Sequence, residues 1–120
     1  LDLVRAMAHN YDAILAGVFV LASSASARLD LAAPVVRLLQ DMAHSSERRS
    51  QPFVAVFFGN PYTPMFVPDV PAMIMTYDFS DYAETSAVKA LAGEIAINGK
   101  LPIALPGLFP LGHGLLRSAR

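Results

Sequence analysis

Three polar clusters punctuate this very apolar chain, and each follows an apolar run. Ser23, Ser24 and Ser26 come after the run that ends at Leu21. Gly59, Asn60, Pro61 and Tyr62 come after Phe53 to Phe58. Asp78, Ser80 and Asp81 come after Ala72 to Tyr77. In a parallel sheet, loops of this kind gather beyond the carboxyl ends of the strands, where ligands bind. Hydroxyls, an amide, a carboxylate and a tyrosine make a rim able to hydrogen-bond a polyol and stack on its apolar face. Gly59 permits a sharp turn, Pro61 stiffens it, and Tyr62 offers a ring with a polar tip. Asp78 is the best single carboxylate, because it directly follows an apolar run. Taken singly, each residue reads first as a loop or helix-cap residue. Only the shared position argues for a site.

Other catalytic arrangements are missing. Gly93 to Lys100 has the outline of a phosphate loop, but five residues separate its glycines and Leu101 stands where Ser or Thr must hold magnesium. There is no Gly-x-Ser-x-Gly elbow. His9, His44 and His113 lie far apart without paired ligand spacing, so metal binding is not expected. His9 and His44 fall near expected helix C-termini, where an imidazolium suits the dipole. His113 falls in a tail and is expected to be exposed or at an interface. The ten acidic residues include no carboxylate pair that the sequence identifies as facing a sugar.

The elements that must hold the rim follow from periodicity. Leu3, Val4 and Met7 mark a first helix with Asp2 as its N-cap. The run from Tyr11 to Leu21 is continuous rather than alternating, as in a strand covered on both faces, and Gly17 suggests close approach of another element. Leu31, Val35, Leu38, Leu39 and Met42 mark a second helix that has Pro34 in its first turn and ends in the polar stretch Ser45 to Ser50. Phe53 to Phe58 is the second strand. Four prolines between Pro61 and Pro71 leave room for a short helical turn at most. Ala72 to Tyr77 is the third strand. A last helix starts at Ser80 or Asp81, with Asp81 and Glu84 resembling a capping box, and stops at Gly93. Leu101 to Pro106 reads as a short edge strand. The whole is an α/β domain, a helix–sheet–helix sandwich of flavodoxin-like type with a mostly parallel sheet, and residues 1–120 read as one domain. Three strands are few, and a helix precedes the first of them. The chain also begins at Leu1. An N-terminal truncation is therefore expected.

Composition narrows the partners. Nine basic against ten acidic residues give a net charge of -1, which argues against nucleic acid. Without cysteine there is no disulfide framework, zinc-thiolate site or Cys nucleophile. The stretch Ala13 to Ala22 is about half the length needed to span a bilayer, so no membrane partner is expected. Hydrophobic residues make up 54% and charged residues 16%, against about 25% charged in typical soluble domains. A chain this small buries roughly 60–70% of its surface, so the apolar excess is expected to meet a neighbour, either another domain or another copy.

The later half carries a resemblance. Phe57-Phe58-Gly59-Asn60-Pro61-Tyr62 resembles the strand and Gly-x-Pro-Tyr element of the C-terminal domain of family 3 glycoside hydrolases, closest to the β-N-acetylhexosaminidase-like branch. Ala87 to Glu94 is similar to that family's A-x-x-A-L-x-G-E helix end, Gly99-Lys100-Leu101-Pro102-Ile103 to its G-[RK]-L-P-[VI], and Gly112 to Leu115 to its closing G-H-G-L. A weaker likeness covers Ala13 to Leu21 and Leu31 to Met42. The resemblance implies an upstream (β/α) barrel that carries the aspartate nucleophile, with an α/β sandwich packed beside the active-site mouth. It also implies retaining hydrolysis by the parent enzyme. The acid/base would be an Asp–His pair on a barrel loop in one branch and a glutamate lent by the sandwich in the β-glucosidases. No glutamate here matches the lent one. Ala92 replaces a larger aromatic, and Ser80 to Glu84 replaces a Gly-Gln-Glu-Gly stretch.

The resulting expectation is a non-catalytic C-terminal domain of a family 3 glycosidase, of β-N-acetylglucosaminidase or β-glucosidase type. It would brace a barrel and line one side of the sugar site through Gly59, Asn60, Pro61, Tyr62 and Asp78. The isolated chain would be inactive and would need no cofactor or metal, and carbohydrate is a possible ligand. The rival is a stand-alone, self-associating α/β interaction module. A small hydrolase or nucleotide binder is a weaker third reading, since it lacks elbow, phosphate loop and dyad.

Overall fold

A computed structural model describes residues 1–21 and 30–120. The chain is an α/β fold built on a three-stranded parallel sheet. Its contacts gather into two compact units, residues 1–78 and 79–120.

The first unit holds the sheet. Helix α1 (Asp2–Ala8) leads to β1 (Ile14–Val20). Helix α2 (Ala33–Arg48) then leads to β2 (Phe53–Gly59), and a 3-10 turn at Thr63–Phe66 leads to β3 (Ala72–Met75). The strand order is β1-β2-β3 with every pair parallel. Gly17 lies opposite Val56, and Val56 opposite Ile74. Parallel strands require crossovers, and α2 and the proline-rich segment supply them. The core lies between the sheet and α2. Val18 and Val20 of β1, Phe53, Ala55 and Phe57 of β2, and Leu39 and Ala43 of α2 are all buried there with Val67 and Val70.

Local differences from the sequence reading have physical causes. Asp2 does not cap α1; it lies inside the first turn and pairs with Arg5, which also reaches Asp41 on α2. The strand begins at Ile14 rather than Tyr11, because the carbonyls of Ala8 and Tyr11 accept from the Gln51 side-chain amide instead of a strand neighbour. Leu31 precedes α2 yet packs on the core. The helix also runs through the polar stretch as far as Arg48. Ser46 faces inward there, and its hydroxyl donates to the Ala43 carbonyl at 2.9 Å, so a polar residue is buried without loss. Pro34 sits in the first turn of α2, where its missing N–H costs nothing.

The second unit holds α3 (Asp81–Ala92) and the C-terminal tail. Ser80 is the N-cap, accepting from the Ala83 amide. Glu84 therefore lies one position too late for a capping box. Gly93 ends the helix in the left-handed region at φ 79. Leu101 to Pro106 is not an edge strand of the sheet. The tail folds back on itself instead, with bridges between Ile97 and Arg117 and between Leu105 and Phe109. Leu101 donates to the His113 carbonyl and accepts from Gly112. His113 stacks on Phe109 with ring centroids 4.4 Å apart, so it is an ordered member of this hairpin.

Candidate functional site

The rim at the carboxyl end of the sheet is built by the exit of β2. Gly59 closes the strand at φ 92, outside the range that side-chain-bearing residues adopt readily. The reversal aims the Asn60 amide N–H at the Val20 carbonyl, 3.2 Å away, which ties the turn to the end of β1. Asn60 is buried, and its side-chain oxygen accepts from the Tyr62 amide at 3.0 Å. Its main-chain carbonyl accepts from the Thr63 hydroxyl at 2.9 Å. Asn60 is thus an organiser of the turn, its side-chain oxygen held by its own backbone. Pro61 is half-buried, and Tyr62 stands at the surface with 44% of its area open. The Gly-Asn-Pro-Tyr segment is therefore a rigid device that presents one tyrosine.

Asp78 reaches the same rim by another route. β3 ends at Met75 and is only partly buried, so Asp78 does not directly follow a buried strand as the sequence suggests. Thr76 makes the connection. Its amide donates to the Phe57 carbonyl at 3.1 Å, and its hydroxyl donates to the Asp78 carbonyl at 2.7 Å. The backbone at Asp78 is thereby fastened next to the end of β2, and Asp78 itself is exposed.

Sequence reasoning missed Tyr77. Between Thr76 and Asp78 it adopts φ 62, an outlier for an aromatic residue, and leaves 43% of its surface exposed. Partial burial pushes its phenol above the ordinary tyrosine value. No pattern signals a left-handed tyrosine, because the residues that favour that conformation are Gly, Asn and Asp. The end of the sheet therefore presents tyrosines from two successive loops, with the Asp78 backbone between β3 and the end of the first unit.

The remaining candidates do not join them. Ser23, Ser24 and Ser26 lie outside the described residues. Ser80 and Asp81 belong to the second unit, where Ser80 serves as the cap of α3. His9 is the C-cap of α1. His44 faces Asp69 at 3.3 Å with both groups half-exposed, a surface pair of little energetic weight. Among the described residues no three His, Asp or Glu side chains converge in a way that would hold a metal ion. No described helix is long and apolar enough to cross a membrane. The rim offers aromatic faces and fixed main-chain turns, which suit contact with a sugar or a packed neighbour better than proton transfer.

No family model, curated protein or solved structure matches the chain.

Proposed function

We propose that the chain is a non-catalytic C-terminal α/β domain of a glycosidase of the family 3 type, acting on β-linked N-acetylglucosamine or glucose. It braces a barrel domain and forms one wall of the sugar site. The observation that carries this reading is the construction of the Gly59-Asn60-Pro61-Tyr62 turn. Its glycine at φ 92, its turn-forming asparagine and its half-open tyrosine belong at the carboxyl end of a parallel sheet, where such folds meet ligands. The same four residues are part of the family resemblance, with Ala87 to Glu94, Gly99 to Ile103 and Gly112 to Leu115. Among the described residues of the first unit the rim includes one carboxylate, Asp78, whereas glycoside hydrolysis needs two acting together, which favours a wall over a catalyst.

The test uses the purified 120-residue chain, alone and mixed with a family 3 β-N-acetylglucosaminidase barrel that lacks its own C-terminal domain, with an aryl β-N-acetylglucosaminide as substrate. The chain alone should be inactive. The mixture should gain activity over the barrel alone, and Tyr62→Ala should reduce that gain. Turnover by the isolated chain that survives repurification overturns the proposal, and so does a mixture indistinguishable from the barrel alone.

A further inference from the structure

Strand β1 is an edge of the sheet. Its inner side pairs with β2, and among the described residues no strand pairs with its outer side. Folded proteins protect such edges with charge, proline or a bulge. Ile14–Val20 has none of these: it reads Ile-Leu-Ala-Gly-Val-Phe-Val, pairs with β2 residue for residue, and contains no charged group or proline. A groove of about 540 Å³ runs along it. Its lining includes β1 itself, Val4 of α1, the carboxylate residue Asp30 with Leu31, and Val35, Leu38 and Met42 of α2.

The side chains of β1 suit one occupant in particular. The two exposed large residues, Leu15 and Phe19, sit symmetrically two positions either side of Gly17. An antiparallel copy of the same strand, centred on Gly17, places Leu15 of each chain opposite Phe19 of the other. It also sets Ile14 opposite Val20 and Ala16 opposite Val18 on the groove side. An isologous contact requires this kind of self-complementarity. Gly17 at the centre is overlain by rings of its own chain: a Cβ there would meet Phe19 at 3.4 Å and Phe58 at 3.9 Å, and these two rings stack with centroids 4.4 Å apart. The other edge, β3, is a poorer partner, being four residues long and preceded by Pro71. The area is adequate. Val4, Leu15, Phe19 and Leu21 are 46%, 63%, 51% and 52% exposed. On the scale of an aromatic side chain they would each remove on the order of 100 Å² from water. If all four were covered completely, two copies would bury about 800 Å² from these side chains, which already line the groove, or half of a standard interface before the main chain is added.

We infer that two copies of this chain pair through β1, edge to edge and antiparallel about Gly17, to form a continuous six-stranded sheet. The surface is separate from the strand-end rim, so the inference goes beyond the proposed function and does not depend on it.

The absence of cysteine makes the register directly measurable. Leu15→Cys and Phe19→Cys chains are prepared separately, mixed, and treated with a thiol cross-linker shorter than about 8 Å. Opposed residues in such a pair have Cβ atoms about 5 Å apart, whereas like residues, displaced by four positions, are about 14 Å apart. The mixture should cross-link and neither variant alone should. Sedimentation of the unmodified chain should show a dimer. Leu15→Glu should weaken it at least 100-fold while circular dichroism stays unchanged, because Leu15 is mostly exposed in the single chain. A monomer at 100 µM overturns the inference. A dimer that withstands Leu15→Glu, or that cross-links in any other pattern, overturns it as well.

Discussion

The two glycines of the paired β1–β2 ladder, Gly17 at its middle and Gly59 at its end, should respond to the same substitution with opposite sign. Gly59 holds φ 92, and placing a Cβ there costs about 1–3 kcal/mol in strain. Replacing glycine also lowers the entropy of the unfolded chain, which offsets about 0.5 kcal/mol. Gly59→Ala should therefore destabilise the first unit by about 1–2 kcal/mol, equivalent to roughly 4–8 °C in melting temperature for a chain of this length. Gly17 lies within β1, and a Cβ there meets only the Phe19 and Phe58 rings at ordinary contact distance. Gly17→Ala should gain about 0.5 kcal/mol through the same unfolded-state term, with no strain to oppose it. Urea denaturation followed by circular dichroism gives both values. It is repeated at several protein concentrations so that association does not enter. Amide exchange locates the effect: in Gly59→Ala the Asn60 amide, bonded to Val20, should lose protection while Ala55 keeps it. If Gly59→Ala matches the parent within 0.3 kcal/mol, the turn is not held by backbone conformation and the account of the rim fails. A loss at Gly17 as large as that at Gly59 would show that strand packing, not φ, governs both positions.

Two further outcomes follow from the same structure. In the second unit a Cβ at Gly114 would collide with the Gly99 carbonyl, so Gly114→Ala should force the two tail segments apart; amide exchange at Ile97 and Leu101 should then accelerate at least tenfold. Burial raises the Tyr77 phenol, so folding favours its neutral form: that contribution is complete below the unfolded pKa and is lost as the pH climbs through the raised folded value. Stability should accordingly fall above about pH 10, and Tyr77→Phe should flatten the fall, as read from urea midpoints between pH 8 and 11.

The strands were legible from their apolar runs: Phe53–Gly59 is covered on both faces as expected, whereas Ile14–Val20 is covered on one face only and leaves Leu15 and Phe19 open, which corrects the expectation of cover on both sides at β1. Their ends were less so. Tyr11 and Ala13 extend the run across the charged Asp12, yet Gln51, forty positions away, captures the Tyr11 carbonyl. No local window contains that information. The tail was misread for a related reason. Pro102 and Pro106 signal an edge, which is sound, but whether an edge joins the sheet or its own hairpin depends on Leu105 meeting Phe109 and Ile97 meeting Arg117. At the rim, glycine, proline and tyrosine advertised a turn and a ring, so Gly59 to Tyr62 could be found. Tyr77 could not, because its position is set by the hydrogen bonds of Thr76 to the Phe57 and Asp78 carbonyls and not by any preference of tyrosine.

The apolar excess that marks this composition is not spread evenly over the first unit. Leu15 and Phe19 open one face of β1, with the Phe19 ring stacked on Phe58 of β2, whereas Tyr62 and Tyr77 stand at the carboxyl end of the strands. The two groups also differ in chemistry. The edge offers hydrocarbon with main-chain hydrogen-bonding groups, which rewards another strand. The rim offers rings with phenolic tips on rigid turns, which rewards a sugar or a packed wall. A charge at Leu15 should therefore abolish self-association and leave the rim competent, while removal of the Tyr62 ring should do the reverse. If either substitution changed both properties together, the two surfaces would be one, and the bracing role and the paired edge would have to be explained by a single contact.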